Sequence, residues 1–233
     1  MLSGKSTAID EILLVPAKAD AERHRVAECW KARGGLVIPL DRFWEPPEKL
    51  PPGKVRVYGN DTFCLVLAQL LNLDLVSPAD DWLLGLSFDF LKRELRLATL
   101  RSLPSFPCFV KPLIPKQFRA TVYQTSSELE EETRGLGDEA VLIAEVVSIL
   151  AEARGFYLEG KLQSLAVYEG VGEPEAFLRT LEDLPQPTTC VIDVALLDGR
   201  GWAVLEANAT WGAGLNGCEP SAVVDCLRAA VRV

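Results

Sequence analysis

"VLEANATWGAGLNGC", residues 204–218, runs an apolar strand pattern directly into a glycine-rich turn. Within it Glu206 and Asn208 stand two residues apart. Side chains alternate across a β-strand, so both point to one face, about 7 Å apart along the chain. Strict alternation puts Val204 on that same face and Leu205 and Ala207 on the other. Two oxygen donors on one strand face suit a hard divalent cation such as Mg²⁺. The solvated polar end of an edge strand would carry the same pair. Taken by itself, the stretch leaves both readings open.

The rest of the composition narrows the chemistry. The 233 residues are 48% hydrophobic and 24% charged, enough to bury a sizeable core in one large or two small domains. A net charge of -9 argues against bulk electrostatic binding to nucleic acid or to an anionic membrane. Six cysteines (Cys29, Cys64, Cys108, Cys190, Cys218 and Cys226) form no CxxC pair and several lie in apolar runs. They read as reduced, buried thiols of a cytoplasmic protein, without the clustering that zinc requires. No leader pattern and no apolar run of membrane-spanning length is seen, nor any internal repeat. His24 is the only imidazole. It lies in "DAERHRVAECWKARGG", where Asp20 reads as an N-cap, Val26, Ala27 and Trp30 as an apolar stripe, and Gly34 as a stop. A lone histidine on that helix surface argues against a Ser-His-Asp or Cys-His hydrolase.

Along the chain the first hundred residues alternate strand and helix signals. Strands are expected at 12–16, 36–40 and 55–59, helices over 20–33 and 62–71, and a helical region over 80–100 with Asp80 or Asp81 as its cap. This β-α-β-α order implies a parallel sheet. "RSLPSFPC" (101–108) reads as a linker. Beyond it come strands in "FVKPL" and "ATVYQT", a capped acidic helix in "SSELEEETRGLG", and a long buried strand in "AVLIAEVVSIL". A hairpin turning at "EGK", a helix in "PEAFLRTLEDL", a second hairpin turning at "DGRG" and a closing helix in "PSAVVDCLRAAV" follow. Antiparallel strands with helices laid on them indicate an α+β unit. The expected division is an N-terminal α/β domain over 1–104 and a second unit over 105–233.

"SGKST" (3–7) looks like the end of a phosphate loop, but the chain has no room before it for the first glycine or the leading strand. It reads as a terminal tail. A stronger constellation lies in the second half. Lys111 ends the strand in "FVKP", and Lys116 follows in "PLIPKQF". Glu145, Val146, Val147, Glu152 and Arg154 lie in "EVVSILAEARGF", and Asp193 in "VIDVALLDGRGWAVLEAN" precedes Glu206 and Asn208. In this order the segments resemble the ATP-grasp superfamily over roughly residues 105–218, most closely a compact branch of short ATP-grasp proteins.

The resemblance implies an N-terminal parallel α/β domain of the pre-ATP-grasp kind followed by an ATP-grasp fold. It implies ATP and Mg²⁺ as cofactors, with Asp193, Glu206 and Asn208 as metal ligands and Lys111 and Lys116 on the phosphates. Glu145, Val146 and Val147 would form the hinge that reads adenine, Glu152 would accept from ribose, and Arg154 would contact the transferred phosphate, with Lys116 beside it in catalysis. The glycine-rich loop usual over the phosphates is missing from "PLIPKQFRATV", so covering falls to Lys116 and Arg119. The 210–217 turn would lie near the acceptor, as would "YGNDTF" (58–63). Arg93 in "FLKRELR" reads as a surface helix arginine within reach of the cleft. The implied activity is an ADP-forming ligase joining a carboxylate to an amine, or a thiol, through an acyl phosphate. Its partners would be small-molecule or peptide substrates. An ATP-grasp phosphotransferase and a non-catalytic ATP-binding module are the alternatives.

Because "SGKST" lacks the rest of a phosphate loop, deleting residues 1–7 should leave nucleotide affinity within a few-fold, as titration calorimetry would show. Loss of nucleotide binding by a folded truncation would contradict this.

Overall fold

The computed structural model describes residues 11–232 except 46, 48 and 104. The expectation about Ser3–Thr7 therefore lies outside the described residues. The first unit opens with β1 (Glu11–Pro16), α1 (Ala21–Ala32), β2 (Leu36–Leu40), β3 (Lys54–Val57) and α2 (Asp61–Leu71). β1 is continuously apolar from Ile12 to Val15 because it is the centre of a parallel sheet ordered β2-β1-β3, covered on both faces. Asp20 caps α1 by accepting from Arg23 N at 2.8 Å, and Asn60 caps α2 by accepting from Phe63 N at 2.9 Å. Both caps follow the carboxyl ends of sheet strands, the edge at which open α/β sheets hold ligands. His24 is exposed on α1, as its position predicts.

The helical region expected over 80–100 is not one. After the short β4 (Asp74–Leu75) come a 3₁₀ turn at Trp82–Gly85 and the single-turn α3 (Phe88–Leu91), and the backbone turns left-handed at Lys92 (φ 49°). Asp81 precedes the 3₁₀ turn without a side-chain capping bond. β5 (Leu95–Thr99) follows. "LRLAT" alternates with period two, and its partner strand lies far along the chain, so the local pattern alone did not separate it from the helix before it.

β6 (Cys108–Pro112), β7 (Thr121–Tyr123), α4 (Ser126–Glu132) and β8 (Ala140–Ala144) complete an antiparallel sheet ordered β5-β8-β6-β7. β5 thus joins this sheet from ahead of the 104/105 boundary. The long strand expected in "AVLIAEVVSIL" is also corrected. β8 stops at Ala144 and β9 (Ile149–Leu158) begins a different sheet, so Glu145–Ser148 is a crossing between two sheets. β10 (Lys161–Gly170), α5 (Glu175–Thr180), β11 (Thr189–Leu197), β12 (Gly201–Asn208), α6 (Pro220–Arg228) and β13 (Val231–Arg232) follow. The second antiparallel sheet is ordered β10-β9-β11-β12, and β13 pairs with β4. Glu159 and Gly160, with φ of 50° and 74°, make the tight turn between β9 and β10.

One core joins the two halves. Val26 and Trp30 of α1 pack with Phe156 of β9, Val191 of β11 and Val223, Val224 and Leu227 of α6. Arg33 adds a 2.7 Å ion pair to Asp225. All six cysteines are free thiols, five of them buried. Among the described residues no helix is long and apolar enough to cross a membrane.

Gly170 closes the β9–β10 ladder with φ 68°, and a Cβ there would collide with the carbonyl oxygen of Leu150. Gly170→Ala should therefore lower stability by more than about 1 kcal/mol in urea unfolding.

Candidate functional site

The β11–β12 hairpin carries the site, and a β-bulge aims it. Asp193 pairs with Glu206 and Val191 with Asn208, but the next rung joins Val194 to Val204, leaving Leu205 as an extra residue. Strict alternation is thereby corrected: Val204 does not share the face of Glu206. Val204 and Ala207, three residues apart, belong to one core cluster with Ile192 and Val194. Leu205 packs instead beside Ala195, Leu197 and Ala203. Only an inserted residue lets Val204 and Ala207 both point inward while Glu206 and Asn208 point to the side of Asp193.

Arg93 holds that irregularity. Its Nη1 donates to Val204 O at 2.7 Å and Leu91 O at 3.0 Å, and its Nη2 to Leu205 O at 3.4 Å. It is 6% exposed, not the surface helix residue its local sequence suggests, and burial pulls its pKa down. A bulge removes ladder partners from its carbonyls, and Arg93 replaces them.

Across the sheet, Arg154, Asp193 and Glu206 stand in one row on β9, β11 and β12. Arg154 grips Asp193 bidentately, Nε to Oδ1 at 2.8 Å and Nη2 to Oδ2 at 2.7 Å, and its Nη1 donates to Gly214 O at 2.7 Å. Asn208 Nδ2 links the carboxylates, donating to Asp193 Oδ2 at 3.1 Å and Glu206 Oε1 at 3.0 Å. From the facing sheet, Lys111 Nζ donates to Glu206 Oε2 at 2.8 Å. Burial pushes the Asp193 carboxyl pKa up, with Arg154 opposing it. Burial acts the same way on Glu206, but Lys111, Asn208 and Arg154 together outweigh it and hold the carboxyl below its usual range.

Glu152 lies on the same strand face as Arg154. It accepts from Tyr168 OH at 2.7 Å, while the Arg154 guanidinium sits 5.9 Å from the Tyr168 ring centre. Tyr168, unremarked in "LAVYEG", is thus tied to two of the sequence-derived residues.

Other candidates are placed apart from this cluster. Glu145 pairs with Arg200 of the β11–β12 turn at 2.6 and 2.9 Å, and its N–H donates to Glu94 O at 3.0 Å. Val147 packs against the Leu205 cluster, and Val146 is 45% exposed. Lys116, with φ 69°, reaches the first unit and pairs with Asp61 of α2 at 2.5 Å. The turn after the hairpin is docked on the first unit, with Gly59 N donating to Trp211 O at 3.1 Å.

The donor chemistry fits Mg·ATP. Among the described residues no three His, Cys, Asp or Glu side chains gather as a metal site, so a cation here would rest on two carboxylates and one amide. Those are hard oxygen donors, and a magnesium ion retains room for phosphate and water. Glu206, whose side chain is 39% exposed, and Asn208 would be the accessible ligands, with Asp193 behind them at 4%.

Three comparisons place this geometry. The profile of an ATP-grasp domain family, the second family of its clade, matches residues 90–226. Among solved structures, a RimK domain ATP-grasp protein from Sphaerobacter thermophilus superposes with a TM-score of 0.57 at 14% identity, covering 94% of this chain and 99% of that one. D-alanine–D-alanine ligase from Bacillus anthracis gives 0.53 at 13% identity, covering 95% and 96%. The D-cycloserine synthetase DcsG gives 0.57 at 13% identity, covering 93% and 98%. At such identities the likeness is one of fold. No curated protein sequence matches the chain.

Two outcomes follow from the geometry. Arg93→Met should speed amide hydrogen exchange at Leu205 and Glu206 more than at the Asp198–Gly201 turn, because the bulge loses its only side-chain donor described. Arg200 holds the Glu145 pKa down to about 2 from 4.5, with help from the Glu94 N–H. A depressed carboxylate stabilises the fold above its unfolded value and loses that contribution as pH falls through the folded one. The stability advantage of wild type over Glu145→Gln should thus be full above pH 4.5 and shrink towards pH 2, as urea unfolding across that range would measure.

Proposed function

We propose that this chain, which belongs to the ATP-grasp family whose profile it matches, is an ATP-dependent ligase that forms a C–N bond and releases ADP and phosphate. The observation that carries the reading is the meeting of Lys111 from one sheet with Glu206, Asn208 and Asp193 from the other, closed by a 2.8 Å contact. A D-alanine–D-alanine ligase of this fold is described as complexed with ATP, which supports ATP as the cosubstrate.

In this reading residues 105–233, with β5 added to their first sheet, hold the nucleotide, and residues 1–104 serve the acceptor. Lys111 and Lys116 neutralise phosphate charge; Lys116 would exchange Asp61 for it. Residues Glu145–Val147 border adenine, with Val146 and Val147 supplying backbone groups because the Glu145 N–H is taken. Glu152 meets the ribose hydroxyls. Glu206, Asn208 and Asp193 would hold Mg²⁺, which neutralises and orients the phosphates. Arg154 keeps Asp193 in place and adds positive charge beside the phosphoryl group in transfer.

The site offers carboxylates, an amide, lysines and an arginine, but no histidine and no activated nucleophile. That set stabilises charge on a phosphoryl group and is poorly suited to an enzyme-bound ester. The substrate's own carboxylate would take the γ-phosphoryl group, and an amine, or a thiol, would then displace phosphate from the acyl phosphate.

With ATP, Mg²⁺ and the correct carboxylate, hydroxylamine should be captured as a hydroxamate with ADP in equal amount. AMP with pyrophosphate would mean adenylation. ADP with a stable phosphorylated acceptor would mean phosphotransfer, and nucleotide binding without turnover a binding module. Lys111→Ala should weaken Mg·ATP binding by about 1.5–3 kcal/mol, the range of a hydrogen bond to a charged group, measured by calorimetry. Glu206→Gln should impair turnover more than folding.

A further inference from the structure

A cleft of about 510 Å³ opens at the carboxyl edge of the parallel sheet, roofed by Gly212–Gly214 of the turn that follows the β11–β12 hairpin. It shares that roof with the phosphate-side cluster, since Gly214 O accepts from Arg154. The same segment is held from the first unit, where Glu22 Oε2 accepts from Leu215 N at 2.8 Å. A Cβ on Gly214 would lie 3.1 Å from that carboxylate oxygen, so the roof and the start of α1 approach closely.

Two groups in the wall have polar capacity that the protein leaves unused. Tyr58 is 4% exposed and lines the cleft, yet its hydroxyl has no hydrogen-bond partner among the described residues. Buried phenols ordinarily find one. Burial and the neighbouring Glu22 and Asp20 raise its pKa, so it is a protonated donor. Arg23 is the second. Its side chain is 16% exposed, and its nearest carboxylate is Asp20 at 3.5 Å, which already spends Oδ1 on the α1 cap. Both lie where the uncapped N–H groups at the starts of α1 and α2 add positive potential.

The wall also carries acid. Asp41, at the end of β2, lines the cleft with no ion pair among the described residues, and Glu22 has its second oxygen free of any described bond. A purely anionic ligand would meet Asp20, Glu22 and Asp41, and a purely cationic one would meet Arg23 and Lys18. A molecule bearing both charges satisfies both sets.

We propose that this cleft binds a free amino acid, its carboxylate held by Arg23 and the Tyr58 hydroxyl and its ammonium group by Glu22 and Asp41. Only the assignment of that amino acid as a ligase substrate rests on the function proposed above; the binding itself does not.

Saturation-transfer NMR on the full chain, with each proteinogenic amino acid at millimolar concentration and with or without a non-hydrolysable ATP analogue and Mg²⁺, tests it. At least one amino acid should bind, and its methyl ester and its N-acetyl form should each bind at least tenfold more weakly. Arg23→Gln should weaken binding at least tenfold and Tyr58→Phe several-fold, with unchanged circular dichroism. If no amino acid binds, if the ester or the N-acetyl form binds as well as the parent, or if folded Arg23→Gln binds normally, the proposal is overturned. Calorimetry with Mg·ATP on the same sample separates the two readings. Nucleotide binding without amino-acid binding removes the cleft assignment alone. Amino-acid binding without nucleotide binding supports the cleft and removes the ligase.

Discussion

The buried pairing of Arg154 with Asp193 is the contact on which the site's other contacts converge. Their side chains are 11% and 4% exposed, and both Asp193 oxygens accept from the guanidinium. A carboxylate this deep is stable only with an opposite charge and saturated hydrogen bonding, and stripping one partner from such a pair costs about 3–5 kcal/mol. The remaining donor of Arg154 fixes Gly214 O, and its face meets Tyr168, which in turn orients Glu152. One side chain thus sets the positions of a carboxylate on β11, a turn after β12 and a carboxylate on its own strand.

From Asp193 the order passes outward with rising exposure. Asn208 bridges to Glu206, and Glu206 reaches the facing sheet through Lys111. The inner pair is dry and rigid, whereas Glu206 and Lys111 face the opening between the sheets. That gradient suits a charged ligand: the outer ion pair can be exchanged for phosphate and cation while the inner one stays closed. The bulge at Leu205 makes the gradient possible, because it keeps Val204 and Ala207 in the core while turning Glu206 away from it.

The first unit is coupled to this arrangement by backbone rather than by charge alone. Gly59 N bonds Trp211 O, Glu22 bonds Leu215 N, and Trp211 Nε1 bonds Val76 O at 3.0 Å. The turn after the hairpin therefore belongs to both units, and it links the cleft at the carboxyl edge of the parallel sheet, through Gly214, to the arginine that braces the carboxylates.

Local pattern was enough for the strands whose partners are near or whose burial is complete. β1 and the β11–β12 hairpin were legible because unbroken apolar runs and turn residues are local properties, and the Asp193, Glu206, Asn208 set was legible because its spacing lies on that hairpin. The split between β8 and β9 was not, since Glu145 interrupts an apolar run by pairing with Arg200 on a turn that only the fold brings near. Nor was β5, whose alternation needs β8 to complete it. Arg93 looked like a solvated helix residue because its partners, two carbonyls freed by a bulge, exist only once β12 is paired. The sequence by itself determined the donor types and their order along the chain. The tertiary structure alone decided which face each donor occupies, because a one-residue bulge reverses the alternation that spacing predicts.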